Sequence, residues 1–234
     1  MIASIFTNKI KFTIVFYIIL LTDVFVKMDG SDLDYRYLTK PLVLLSLIAF
    51  YYINIKNKNK KIERNVIWAL CFFLLGDIFL LNYSSTYSLL LSILFFAVGK
   101  VFFCLKFKSK EDFEFSGLFP FSIITYIFIT IIISIVYENL RLFLVPGLLT
   151  LFVSLMMLNL AYLRKVKFSK FSYLSVLLGC ILFVFSEGLN AISVFNGNLV
   201  FPTFLVMLFY GTAIYLVVLG IVKEKKKKRK NRYL

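Results

Sequence analysis

The sequence predicts an all-α membrane protein: a bundle of about eight transmembrane helices with both termini in the cytoplasm. Three observations lead there. Apolar residues make up 61% of the 234-residue chain, whereas a soluble domain holds roughly 45–50%. They gather into about eight runs of 17–24 residues, and a bilayer core of about 30 Å needs about 20 residues of helix. Stretches such as 121–135 are apolar with little break, while a membrane barrel strand alternates apolar and polar residues.

The predicted helices are 10–27, 39–55, 65–82, 86–106, 118–137, 140–163, 172–194 and 200–222, each bounded by charges, by Asn, Ser or Gly clusters, or by a proline near the first turn (Pro41, Pro120, Pro146, Pro202). A proline there removes an N–H that has no partner within the helix. Together they form one transmembrane domain, 1–222, followed by a basic tail, 223–234. Of the 27 Lys and Arg residues, 22 fall at the N-terminus, in alternate loops and in the tail; only Lys27, Arg36, Lys40 and Arg141 fall in the opposite loops. The positive-inside rule places the first set in the cytoplasm. The first helix has Lys9 and Lys11 before it but no small-residue cleavage site after it, so it reads as retained. The acidic stretch DGSDLD (29–34) lacks the spacing of a calcium loop and reads as solvated. The tail suits anionic lipid headgroups, with no other basic feature pointing to nucleic acid. A bacterial inner membrane is the expected setting.

Composition excludes several chemistries. The chain has no histidine, which rules out a Ser-His-Asp or Cys-His nucleophile and a three-histidine zinc site. Cys71, Cys104 and Cys180 each lie within an apolar run with no CxxC pair and read as small packing residues. No metal and no cofactor is expected.

What remains is the set of charges inside apolar runs. A charge in hydrocarbon costs about 2.5–3.5 kcal/mol even on the lenient insertion scale, and such residues usually face a polar interior. Asp77 lies in LLGDIFLL of the third run, Glu187 in LFVFSEGLNA of the seventh, Lys100 in FFAVGKVFF of the fourth and Asp23 in LLTDVF of the first. At about 1.5 Å per residue, Asp77 falls about 18 Å and Glu187 about 22 Å from the cytoplasmic ends of their helices. Asp23 and Lys40 fall in the same outward half, so these four can meet. Lys100 lies nearer the cytoplasmic side, with a stem that can extend toward Asp77; an Asp77–Lys100 ion pair is the structural reading of both charges. Ser186 precedes Glu187 and Asn190 follows one turn later, giving a polar stripe on an apolar helix. Two carboxyls in a dry cavity suit acid–base catalysis, one protonated and one ionised.

At these residues the chain resembles the YhhN family of membrane proteins, whose characterised animal members are lysoplasmalogenases. The resemblance runs from KPLVLL to the last helix and rests on Lys40-Pro41, on Gly76-Asp77, on LFFAVGKVFFCLKF, on GCILFVFSEGLNA, and on Tyr210 to Leu219. The family usually has a histidine where this chain has Lys100, commonly Ser-Asp where it has Ser186-Glu187, and a polar residue in the last helix where Ile214 stands. The resemblance implies hydrolysis of the alkenyl ether bond of a lysophospholipid. Asp77 and Glu187 would be the acid and the base, and Lys40 or Lys100 would tune them or pair with phosphate, with Asp23, Ser186 and Asn190 beside them. A lipid- or small-ligand-binding or transport protein with a degenerate site is the alternative, and a purely structural ion pair a third.

Overall fold

A computed structural model describes residues 2–29, 33–55, 61–108, 115–196 and 203–225. The eight apolar runs appear as helices α2 (Lys9–Met28), α3 (Leu33–Asn54), α4 (Lys61–Leu81), α5 (Thr86–Phe107), α6 (Phe115–Leu140), α7 (Leu144–Leu163), α8 (Lys170–Asn196) and α9 (Thr203–Val222), preceded by a short α1 (Ile2–Thr7). The described residues are almost wholly helical. Six of these helices (α3, α4, α5, α7, α8 and α9) are long and apolar enough to cross a membrane. In α2 the charges Lys9, Lys11, Asp23 and Lys27 break up the apolar window. Residues 30–32 of the acidic loop, Pro202, and the tail beyond Lys225 lie outside the described residues.

Local chemistry sets the ends. The Asn8 side chain accepts from the N–H groups of Ile10 and Lys11 at 3.0 and 3.3 Å and starts α2, filling donors that a helix start leaves open. A 3₁₀ turn at Arg141–Phe143 leads into α7, which begins four residues later than predicted. The largest departure is α3, which starts at Leu33 and not at residue 39, so Pro41 lies inside the helix and not near its start. The segment LDYRYLTK is polar yet helical: Asp34 in its first turn suits the positive end of the helix dipole, and Thr39 ties it to Asp23 of α2 at 2.7 Å. Hydropathy located the apolar boundary and missed this extra turn and a half.

Neighbouring helices pack in the order α2, α3, α4, α5, α7, α8, α9, and α9 returns to touch α2 and α3; α6 lies against α7 and α8. Small residues allow the closest approaches, as membrane packing favours. A Cβ on Gly179 of α8 would sit 2.7 Å from the Ala213 carbonyl oxygen of α9, and one on Gly99 of α5 would sit 2.6 Å from the Phe73 ring of α4. Inside are stacked aromatics, including Phe12 on Phe50 with centroids 4.0 Å apart and Phe73 on Phe183 at 5.3 Å. Outside, Ile14, Ile18, Leu94, Val101, Phe152 and Ile181 are exposed, the surface expected of a bundle solvated by lipid.

One end of the bundle gathers the first and last described residues. Ser169 N–H donates to the Lys225 carbonyl at 2.9 Å, and the Asn54 amide donates to the Phe6 carbonyl at 2.8 Å. This tail end is closed by buried charges. Lys106 reaches Glu63 at 2.8 Å and Glu224 at 3.1 Å, Arg164 reaches Glu224 at 2.9 Å, and the Tyr51 hydroxyl donates to Glu63 at 2.6 Å. Lys106 and Arg164, which the sequence assigns to loops, are therefore buried between helix ends. Gly179→Val should lower the thermal stability of the detergent-solubilised protein by about 1–3 kcal/mol through overpacking against α9. Val166→Ala, at an exposed position, should leave the melting temperature unchanged.

Candidate active site

At the opposite, far end, α3 and α4 lie side by side, and Lys40 of α3 meets Asp77 of α4 with Nζ 3.3 Å from Oδ1. The Tyr210 hydroxyl of α9 donates to the other oxygen, Oδ2, at 2.9 Å. The carboxylate is thus held from two sides, by a cation and by a hydroxyl donor. Its side chain is 3% exposed and that of Lys40 is 12% exposed, so access to the pair is over the lysine. Gly76 makes the arrangement possible. A Cβ there would come within 3.0 Å of the Phe96 ring, which lies edge-on to Tyr210 with centroids 6.1 Å apart. The Gly-Asp step therefore combines the acid with room for the aromatic beside its hydroxyl partner.

A second acid–lysine pair forms between α5 and α8. Lys100 of α5 forms a salt bridge with Glu187 of α8. Ser154 of α7 stands between the helices: it accepts from Lys100 at 2.8 Å and its hydroxyl is 2.7 Å from Glu187 Oε2. Lys100 Nζ also lies 3.5 Å from the Thr150 carbonyl and 5.5 Å from the centroid of the Phe183 ring. A fully buried ammonium survives only when its donors are used, and here a carboxylate, a hydroxyl and a carbonyl take them. The Lys100 side chain is 0% exposed and Glu187 is 19% exposed, so the glutamate is the member that faces open space.

The predicted residues thus divide into two groups. Lys100 does not pair with Asp77; it goes to Glu187, while Asp77 goes to Lys40. Counting along the helices put Lys100 nearer the cytoplasmic side than Glu187, yet the two form a salt bridge, and counting says nothing about which neighbour a helix faces: α5 packs on α7 as well as on α4, and Lys100 points toward α7 and α8. Phe183 touches a member of each group, with its ring 5.7 Å from that of Tyr210. Asp23 is buried and accepts from Thr39 at 2.7 Å. Ser186 turns away from Glu187 and donates to the Val206 carbonyl at 2.9 Å, tying α8 to α9. Asn190 is half-buried one turn beyond Glu187. Ile214 is buried among apolar residues, and the last helix supplies its polar group one turn earlier, from Tyr210.

Tyr210, Ser154 and Thr39 went unremarked in the sequence because tyrosine, serine and threonine are ordinary in membrane helices. The one available signal for Tyr210 was its four-residue spacing from Ile214, where the resemblance calls for a polar side chain.

Six membrane-length apolar helices around two buried acid–lysine pairs define an integral membrane protein with a charged interior. The chain belongs to the YhhN family, whose family model matches residues 35–221 and so includes Lys40, Asp77, Lys100, Ser154, Glu187 and Tyr210. No curated protein and no solved structure matches it.

The pairing is open to a double-mutant cycle. Lys100→Met and Glu187→Met should each destabilise the protein by roughly 3 kcal/mol, because each strands a charge, and the double variant should recover much of that loss. Additive losses would mean the two charges are not partners. Thermal unfolding in detergent measures all four proteins.

Proposed function

We propose that this protein is a membrane hydrolase that cleaves the alkenyl ether bond of lysoplasmalogen-type lysophospholipids, in keeping with its membership of the YhhN family. The observation that carries the reading is the pair of carboxylates on α4 and α8, each fixed by a lysine of another helix and linked through Phe183 and Tyr210.

Hydrolysis needs few parts. A general acid delivers a proton to the β-carbon of the vinyl ether, and the α-carbon becomes an oxocarbenium ion. Water adds to that carbon and loses a proton, and the hemiacetal breaks its carbon–oxygen bond to give a fatty aldehyde and the glycerol hydroxyl. We assign Glu187 as the acid, since it is the more exposed carboxyl and so the one that substrate can reach. Asp77, held between Lys40 and the Tyr210 hydroxyl, is the anion that steadies the cation and orients water. The apolar walls of the bundle receive the lipid chain. The basic tail from Lys223 holds anionic headgroups on the cytoplasmic face of a bacterial inner membrane.

A lipid-binding or transport role without bond cleavage has one observation in its favour: both carboxylates are already neutralised by lysines. Aldehyde release separates the two. The purified protein in detergent or liposomes should release fatty aldehyde from an alkenyl-ether lysophospholipid and none from the saturated alkyl-ether analogue. Asp77→Asn and Glu187→Gln, checked for equal folding, should each lose about 100-fold or more in rate. A wild-type protein that binds the vinyl-ether lipid and releases no aldehyde contradicts the hydrolase reading and supports the binding role.

A further inference from the structure

Asp23 and Lys27 are four residues apart on α2, and Arg36 and Lys40 are four apart on α3, so each pair lies on one helix face. The two helices pack together, and the Thr39–Asp23 hydrogen bond brings these faces against each other at the far end of the bundle. Lys27 is within electrostatic reach of Arg36, Lys40 and Asp23, and Arg36 within reach of Asp23 and Asp77. Both carboxylates have closer partners: Asp77 takes Lys40 and Tyr210, and Asp23 takes Thr39. Neither Lys27 nor Arg36 forms an ion pair among the described residues, and Arg36 is the buried one of the two. It is 8% exposed, and its Nε is buried with no hydrogen-bond partner among the described residues.

We propose that Arg36, with Lys27 and Lys40, forms a subsite for the phosphodiester of a lysophospholipid headgroup. What Arg36 lacks is an anionic acceptor, and a phosphodiester supplies one. The guanidinium fork matches a pair of phosphate oxygens. The level in the membrane also fits. Arg36 sits about 4 Å into α3 from its far end, and Tyr35, Tyr37, Tyr83 and Tyr87 are exposed at the same end, as tyrosines are at a membrane–water interface. Lys40 lies one turn deeper and leads to Asp77. A lipid whose phosphate rests on Arg36 thus carries its ether oxygen, a few bonds away, toward the carboxylates. As a substrate subsite this rests on the hydrolase reading; as a phosphate site it stands on Arg36 alone.

Binding of an uncleavable lipid keeps the two readings apart. Wild-type protein should bind a saturated alkyl-ether lysophosphocholine about tenfold more tightly than the matching alkylglycerol, which lacks the phosphate. Arg36→Gln should abolish that preference while leaving alkylglycerol binding unchanged, and Arg36→Lys should keep part of it. Should Arg36→Gln fail to fold, Lys27→Gln, at the rim of the cluster, should still reduce the preference several-fold. Equal binding of the two lipids by the wild type, or a loss in Arg36→Gln that is the same for both, overturns the subsite. Inorganic phosphate that competes with the alkyl-ether lysophosphocholine and raises the melting temperature as much as the lipid does assigns the site to free phosphate and overturns the headgroup reading. A protein that shows the phosphate preference but cleaves no vinyl ether keeps the subsite and loses the hydrolase; one that cleaves phosphate-free vinyl ethers equally well does the reverse.

Discussion

A carboxylate can be buried in a lipid-solvated bundle only if a counter-charge is brought to it, and that requirement organises this protein. Asp77 and Glu187 sit on helices whose other surfaces are apolar, and each draws a lysine from a different helix. Because the partners are on separate elements, each pair fixes a helix–helix relation: Lys40–Asp77 joins α3 to α4, and Lys100–Glu187 joins α5 to α8 through Ser154 of α7. The hydrophobic effect does little to bring helices together within lipid, so packing contacts and polar links such as these carry more of the specificity.

The same economy is seen at the two ends. At the tail end, Glu63, Lys106, Arg164 and Glu224 join α4, α5, the turn after α7 and the residue following α9 into one charge cluster. Both of its cations form ion pairs, although Nε and Nη1 of Arg164 are buried without a hydrogen-bond acceptor, and it reads as a closure. The far end is different. There Arg36 is buried with no ion pair among the described residues, and Lys40 and Glu187 are the less buried members of their pairs. One end locks the bundle with ion pairs, and the other leaves a buried cation unpaired.

Much of this was legible in the residues. The eight apolar runs became helices, and most boundaries fall within a few residues of where charge and Asn, Ser or Gly clusters placed them. Asp77, Glu187, Lys100, Asp23 and Lys40 stood out because charges in apolar runs are costly, and all five are drawn into the interior contacts described above. What the sequence could not supply was direction. Depth along a helix follows from counting, but the neighbour a side chain meets depends on packing order, which is why Lys100 was matched to the wrong acid. Polar residues with no cost in a membrane helix, such as Ser154 and Thr39, left no signal. Hydropathy also misplaced the start of α3, since an amphipathic turn carrying Arg36 looks like a loop to a scale that counts only apolar residues.

The central claim is that acid–lysine pairing between helices holds the charged interior together, and a charge exchange at Lys40 and Asp77 tests it most directly. Lys40→Asp and Asp77→Lys each place two like charges face to face, whereas the double exchange restores an opposite pair at the same place with its polarity reversed. Thermal unfolding in detergent should show both single variants strongly destabilised and the double exchange recovering most of the wild-type melting temperature. Single variants as stable as the wild type, or a double exchange no better than either single, would contradict the account.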